Sequence, residues 1–179
     1  MQYNLIDKDK FEPDIASFQR KMGHPFLDQH IFPPKTISVS CTVFREIYHV
    51  LGLQTAERGG LLGSANGLVC RFYYDSAGIS SDRAYYPSIA QMNRVLKEWA
   101  REEIVFSGII HSHPHDAAAL SKRDLEFAGA ILKTNPELKS VFFPLVLSAA
   151  DSAAFRILPY VVDRDSVTVA RLCITNQLK

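Results

Sequence analysis

Cysteine is scarce in this sequence, with three residues among 179. Cys41, Cys70 and Cys173 are odd in number and far apart, without the close pairing that a thiolate zinc site or a disulfide-stapled scaffold needs. Reduced, mostly buried thiols are the expectation. Charge of one sign is missing too: 20 Lys and Arg stand against 19 Asp and Glu, and no basic block breaks the balance. That excludes a field strong enough to draw in nucleic acid or an anionic membrane surface. Long apolar runs are absent from the opening residues, MQYNLIDKDKFEPD, where charges interrupt the isolated apolar side chains. They lack the pattern of a secretory signal or membrane helix, so a cytoplasmic protein is expected. Repeats and low-complexity tracts are also missing.

What is there suffices for one core: 47% of the residues are hydrophobic, a near-average share for a single globular domain of this length. Residues 1–35 read as a polar N-terminal extension ending at Phe32-Pro33-Pro34, whose prolines cannot donate backbone hydrogen bonds. Residues 36–179 read as one α/β domain. Thr36–Ser40 alternates as a strand, and Val43, Ile47, Val50 and Leu51 recur at helical spacing over Cys41–Leu51. Gly59–Gly63 and Leu68–Tyr74 form two strands joined at Asn66-Gly67, a dipeptide suited to a tight hairpin turn. Asp75–Arg83 reads as a loop. Ile89, Met92, Val95, Leu96 and Trp99 line one face of a second helix. Val105–Ile110 has the continuous apolar character of a buried strand, and a third helix opens at Ser121. Three β-rich runs follow, Val141–Ser148, Phe155–Val162 and Val167–Ile174. The order predicts a mixed sheet with helices packed against it.

The chemistry concentrates after the Val105 strand, in His111-Ser112-His113-Pro114. Side chains two apart on a strand point to the same face, so both imidazoles can aim at one point. Pro114 should end the ladder, and a short loop leads to Ser121 and to a helix whose first turn holds Asp124. The positive end of that helix favours an ionised carboxylate there. Two histidines, one carboxylate and a fourth position for water make the open tetrahedral zinc site of hydrolases. Ser-x-x-Asp is also a helix capping box, and His-x-His alone is weak. The joint spacing, His-x-His-x₇-Ser-x₂-Asp, should arise by chance on the order of once in a thousand such sequences.

This motif resembles that of the JAMM, or MPN-plus, metallo-isopeptidases, and Glu57-Arg58-Gly59-Gly60-Leu61-Leu62-Gly63 is similar to the segment that carries the family's essential glutamate. The resemblance spans roughly residues 36–174. It implies a mixed, curved β-sheet of the MPN/JAB fold, related to cytidine deaminases. It further implies one zinc per chain on His111, His113 and Asp124, proton transfer by Glu57 and oxyanion support from Ser121. The implied substrate is a ubiquitin-like or sulfur-carrier protein, cut at the peptide or isopeptide bond after its C-terminal Gly-Gly. Absence of a Cys/His cluster for a second zinc makes the chain more similar to the compact prokaryotic members. An extended tail would need a strand edge, for which Gly78–Tyr86 is the candidate.

Competing readings are weaker. A non-catalytic MPN scaffold would have lost ligands, whereas all are present. A zinc nucleoside deaminase needs His-x-Glu and Pro-Cys-x-x-Cys, and neither occurs. A cysteine isopeptidase needs a thiol poised beside a histidine. His115 falls outside the motif, and His24, His30 and His49 have no ligand spacing.

Overall fold

The structure is a computed structural model that describes Tyr3, Leu5 and residues 35–53, 56–82, 84–114, 117–148 and 155–176. The rest of the expected N-terminal extension, including His24 and His30, lies outside the described residues, as does His115.

Strand β1 (Thr36–Ser40) feeds helix α1 (Cys41–Ile47) through Ser40, whose Oγ accepts the Val43 N–H at 3.2 Å. The expected helix continues as one wider π turn, Tyr48–Gly52, so the winding changes near its end. Strands β2 (Gly59–Ala65) and β3 (Leu68–Tyr74) form the expected hairpin. Its turn residues Asn66 and Gly67 take φ of 51° and 77°, the left-handed region that Asn-Gly tolerates. Helix α2 (Ile89–Arg101) buries Met92, Val95, Leu96 and Trp99, the predicted stripe.

The segment expected to be a loop instead contains β4 (Ile79–Ser81), which pairs with β5 (Ala84–Tyr86) as a separate two-stranded sheet. Three-residue strands with a Ser-rich sequence leave no alternation to read. Their anchor is a side chain outside them: the Asp75 carboxylate, 2% exposed, accepts the Tyr85 hydroxyl and the Ser88 N–H, both at 2.7 Å.

Strand β6 (Val105–Pro114) runs through the middle of the main sheet, antiparallel to β2, and helix α3 (Lys122–Thr134) follows it. Each of the three final runs proves to be two strands. The first splits into β7 (Ser140–Phe142) and β8 (Leu145–Ser148) around Phe143-Pro144. The second splits into β9 (Arg156–Leu158) and β10 (Tyr160–Asp163) around Pro159. The third splits into β11 (Val167–Val169) and β12 (Arg171–Thr175) around Ala170. Proline has no N–H for the ladder, so the first two runs break there and change partners; the third breaks at Ala170, whose N–H donates to Pro159 O at 2.9 Å. β7 pairs with β10 and β8 with β9, while β11 pairs with β10 and β12 runs parallel to β1. The main order is β11-β10-β7-β6-β2-β3-β1-β12, so the last run supplies both outer strands of a curved sheet.

Alternation along the central strands sorts the core into two layers. Leu61 and Ile109 face the layer under α2 and α3, with Trp99 and Ile131. Leu62 and Ile110 face the layer under α1, with Val43, Ile47 and Leu51. Leu5 is fully buried in the first layer, and its backbone is held on both sides by Asn93: Leu5 N–H donates to Oδ1 at 2.7 Å and Nδ2 donates to Leu5 O at 3.0 Å. The cysteines correct an expectation: Cys41 and Cys70 are only partly buried and Cys173 is exposed, because β12 is an outer strand. Among the described residues no helix is long and apolar enough to cross a membrane.

Candidate metal centre

His111 and His113 follow Ile109 on the same face of β6, the face that α3 covers, so strand alternation turns both rings toward that helix. Both rings are buried. From above, the first turn of α3 presents Asp124. Its position is fixed by a reciprocal cap: the Asp124 N–H donates to Ser121 Oγ at 3.2 Å, and the Ser121 N–H donates to Asp124 Oδ2 at 2.6 Å. The capping and ligand readings of Ser-x-x-Asp are therefore not alternatives, since the cap leaves Oδ1 facing the histidines.

The three side chains converge. The two imidazole Nε2 atoms lie 2.9 Å apart, with Asp124 Oδ1 3.2 Å from His111 Nε2 and Oδ2 3.5 Å from His113 Nε2. Donors around a tetrahedral zinc with bonds of about 2.0–2.1 Å stand roughly 3.3–3.5 Å from one another. The observed separations bracket that edge length, and all three donor atoms fall within 4.8 Å of each other. The residues thus fit a small tetrahedral cation.

Their protonation fits as well. His113 Nδ1 lies 3.1 Å from the Ala117 carbonyl, which can only accept, so the proton belongs on Nδ1 and a neutral ring offers its Nε2 lone pair. His111 is oriented by packing: its ring stands edge-on to Phe143, with centroids 5.4 Å apart at 76°. Its buried Nδ1 has no hydrogen-bond partner among the described residues. Burial opposes ionisation of Asp124, but hydrogen bonds to His111, His113 and Ser121 outweigh it and hold the carboxyl well below the usual carboxylate range. For His113, burial opposes the charged form, yet the Asp124 hydrogen bond and charge, with the Ala117 carbonyl and Glu57, raise its pKa above the ordinary value.

Glu57 lies beside this cluster. Gly59 pairs with His111 across β2 and β6, which brings the residues just before Gly59 alongside His113. The Glu57 N–H donates to Ser81 O of the β4–β5 hairpin at 2.8 Å, and its carboxylate accepts a backbone hydrogen bond from Tyr85. Burial raises the Glu57 pKa, and the nearby imidazoles only partly offset that rise. Glu46 and Glu98, by contrast, are exposed, and Glu126 pairs with Lys122 at 3.8 Å. Gly59 is small for a reason: a β-carbon there would strike the Tyr85 ring and the Ile110 carbonyl, pushing the hairpin off the site.

Ser121 is exposed at the rim, its Oγ already accepting from Asp124 and its own proton free to donate. Asp75, Ser81 and Tyr85 frame the site from a distance; Ser81 and Tyr85 fall in the Gly78–Tyr86 segment expected to offer a strand edge, while nothing in the sequence marks Asp75. Their link to Glu57 runs through backbone atoms and one buried carboxylate. Tyr86 also reaches across to α3, where the Arg123 guanidinium sits 3.8 Å over its ring.

No protein-family model and no curated protein sequence matches this chain. Among solved structures it is similar to the protein DSY2949 from Desulfitobacterium hafniense, with a TM-score of 0.60 at 18% identity over 79% of this chain and 94% of that one. A weaker likeness, with a TM-score of 0.46 at 13% identity, links 78% of this chain to 98% of AF2198, a JAB1/MPN domain protein from Archaeoglobus fulgidus. The first likeness speaks for a shared fold alone, and the second is too weak to carry a conclusion.

Proposed function

We propose that this chain is a cytoplasmic zinc-dependent hydrolase of the JAMM type that cleaves the peptide or isopeptide bond after the C-terminal Gly-Gly of a ubiquitin-like or sulfur-carrier protein. One observation carries the reading: the donor atoms of His111, His113 and Asp124 all lie within 4.8 Å of one another, with Glu57, a carboxylate of raised pKa, beside them. The MPN-type fold and its kinship with cytidine deaminases belong to the same proposal and rest on the motif.

His111, His113 and Asp124 would hold the zinc, which when bound polarises the scissile carbonyl and makes a water acidic enough to react near neutral pH. Glu57 takes the proton from that water on its carboxylate and delivers it to the leaving amine; burial favours its protonated form and so suits it to the second step. The Ser121 hydroxyl, exposed at the rim, donates to the oxygen that gains charge. The β4–β5 hairpin offers a strand edge along which a Gly-Gly tail can lie extended.

Replacing Glu57 with Gln separates a hydrolase from a non-catalytic MPN scaffold. Zinc occupancy and affinity for a Gly-Gly-tailed substrate should persist while turnover falls at least about a hundredfold. His111→Ala should lose metal and turnover together. Wild-type protein that holds zinc and binds such a substrate without cutting it would favour the scaffold instead.

A further inference from the structure

Between the two histidines stands a residue that the proposed chemistry does not use. Ser112 is completely buried, and alternation turns its side chain away from the cluster. Its surroundings are nevertheless specific. Gly59 lies opposite His111 in the β2–β6 ladder, so the next rung sets Arg58 opposite Ser112. One bond of that rung is ordinary, with the Ser112 N–H donating to Arg58 O at 2.7 Å. The return bond is made by the side chain: the Arg58 N–H donates to Ser112 Oγ at 3.0 Å, and that hydroxyl lies 3.4 Å from Arg58 O.

Arg58 is thereby held to β6 through both its N–H and its carbonyl. The regular strand starts at Gly59, and Glu57, one residue before Arg58, has its N–H on the side away from β6, where it donates to Ser81 O of the hairpin. Glu57 thus stands level with His113, and the charges of both imidazoles act on its carboxylate. We infer that Ser112 is a positioning residue: its hydroxyl clamps Arg58 at the start of β2 and thereby sets the Glu57 carboxylate against the His111, His113 and Asp124 cluster. This deepens the proposed hydrolase reading and rests on it for the role of Glu57, but the clamp is testable without any substrate.

Ser112→Ala removes the acceptor and leaves the rest of the core in place, while Ser112→Thr keeps the hydroxyl. In zinc-loaded protein followed by amide hydrogen exchange, Ser112→Ala should speed exchange at Arg58 at least about tenfold. Exchange at Leu61 in mid-strand should stay slow, and Ser112→Thr should restore protection at Arg58. Unchanged Arg58 exchange in Ser112→Ala would overturn the clamp. Turnover of a Gly-Gly-tailed substrate provides the second arm: Ser112→Ala should lower kcat about tenfold or more with KM and zinc content unchanged. In a Glu57→Gln background the same change should cost nothing further. An equal loss in that background would mean that Ser112 does not act through Glu57 and would overturn the positioning role. If wild-type protein cleaves no such substrate, the hydrolase reading falls while the exchange measurement still decides the clamp.

Discussion

The Tyr160 hydroxyl donates a 2.9 Å hydrogen bond to the Ala118 carbonyl, one residue beyond the Ala117 carbonyl that faces Nδ1 of His113. Burial raises the pKa of that phenol, so it remains a donor through the neutral range. A strand on one side of β7 thereby tethers the loop that fixes a ring on the other. Tyr160→Phe should weaken zinc binding by about tenfold, the low end of losses seen when groups orienting a ligand are removed, with the fold intact. Competition against a chromophoric chelator reads this directly, and unchanged affinity would show that the loop needs no tether.

Metal uptake should depend on pH in a direction set by two opposite shifts. Asp124 is held ionised far below neutrality, so it adds no inflection in the mildly acidic range. His113 has its pKa raised above 6.5, and a cation must displace its proton. Affinity should therefore be full above the raised value and fall as pH drops through it, by up to about tenfold per pH unit for one proton. Zinc titrations from pH 8 down to pH 5 would check this; affinity flat across that range would contradict it.

Stability should respond to a residue far from the site. Leu5 fills the layer shared by Met92, Trp99 and Phe106, so Leu5→Ala should cost about 2–5 kcal/mol. Asn93→Ala should cost about 1–3 kcal/mol, because it leaves the Leu5 N–H and carbonyl without their partners. Thermal unfolding of the two variants would test both. Losses below about 0.5 kcal/mol would mean that this segment does not hold the core.

For substrate, the hairpin makes the most specific expectation. Ile79 is 72% exposed and faces Tyr86 across the β4–β5 pair, so an exposed apolar strip flanks the site. Ile79→Asp should raise KM for a Gly-Gly-tailed protein about tenfold and leave kcat alone. A variant with wild-type KM would move the tail-binding edge elsewhere.

The His111, His113 and Asp124 cluster was legible because its geometry follows from local rules. Strand alternation turns His111 and His113 together, and a helix start after a short loop returns Asp124 to them. Glu57 was legible only through its glycine-rich neighbourhood, and the reason is a packing demand: Gly59 must admit the Tyr85 ring. The first half of the hairpin, within Asp75–Arg83, was read as loop although Gly78–Tyr86 was expected to offer a strand edge, because its hold, Asp75 on Tyr85 and Ser88, joins residues whose proximity no periodicity reveals. Two of the three closing runs were read as single strands since Pro144 and Pro159 lie inside continuous apolar stretches, and the partner switching they cause is a tertiary fact; the third breaks at Ala170, which no residue type marks. Ser112 sat in full view as the middle of His-Ser-His, but its role depends on Arg58, more than fifty positions earlier in the chain.

The parallel pairing of β1 with β12 also governs the order in which the sheet can close. Emerging from the ribosome, β1 finds only a brief pairing with β3, at Ser38 and Val39, and waits for the last strand to complete its other edge. Such a distant partner raises the contact order of the fold, which slows folding because chain entropy is lost before the contacts form. Until β12 arrives, β1 presents an unpaired edge that a neighbouring chain could occupy, so the interval before the final strand is the one most open to misassembly.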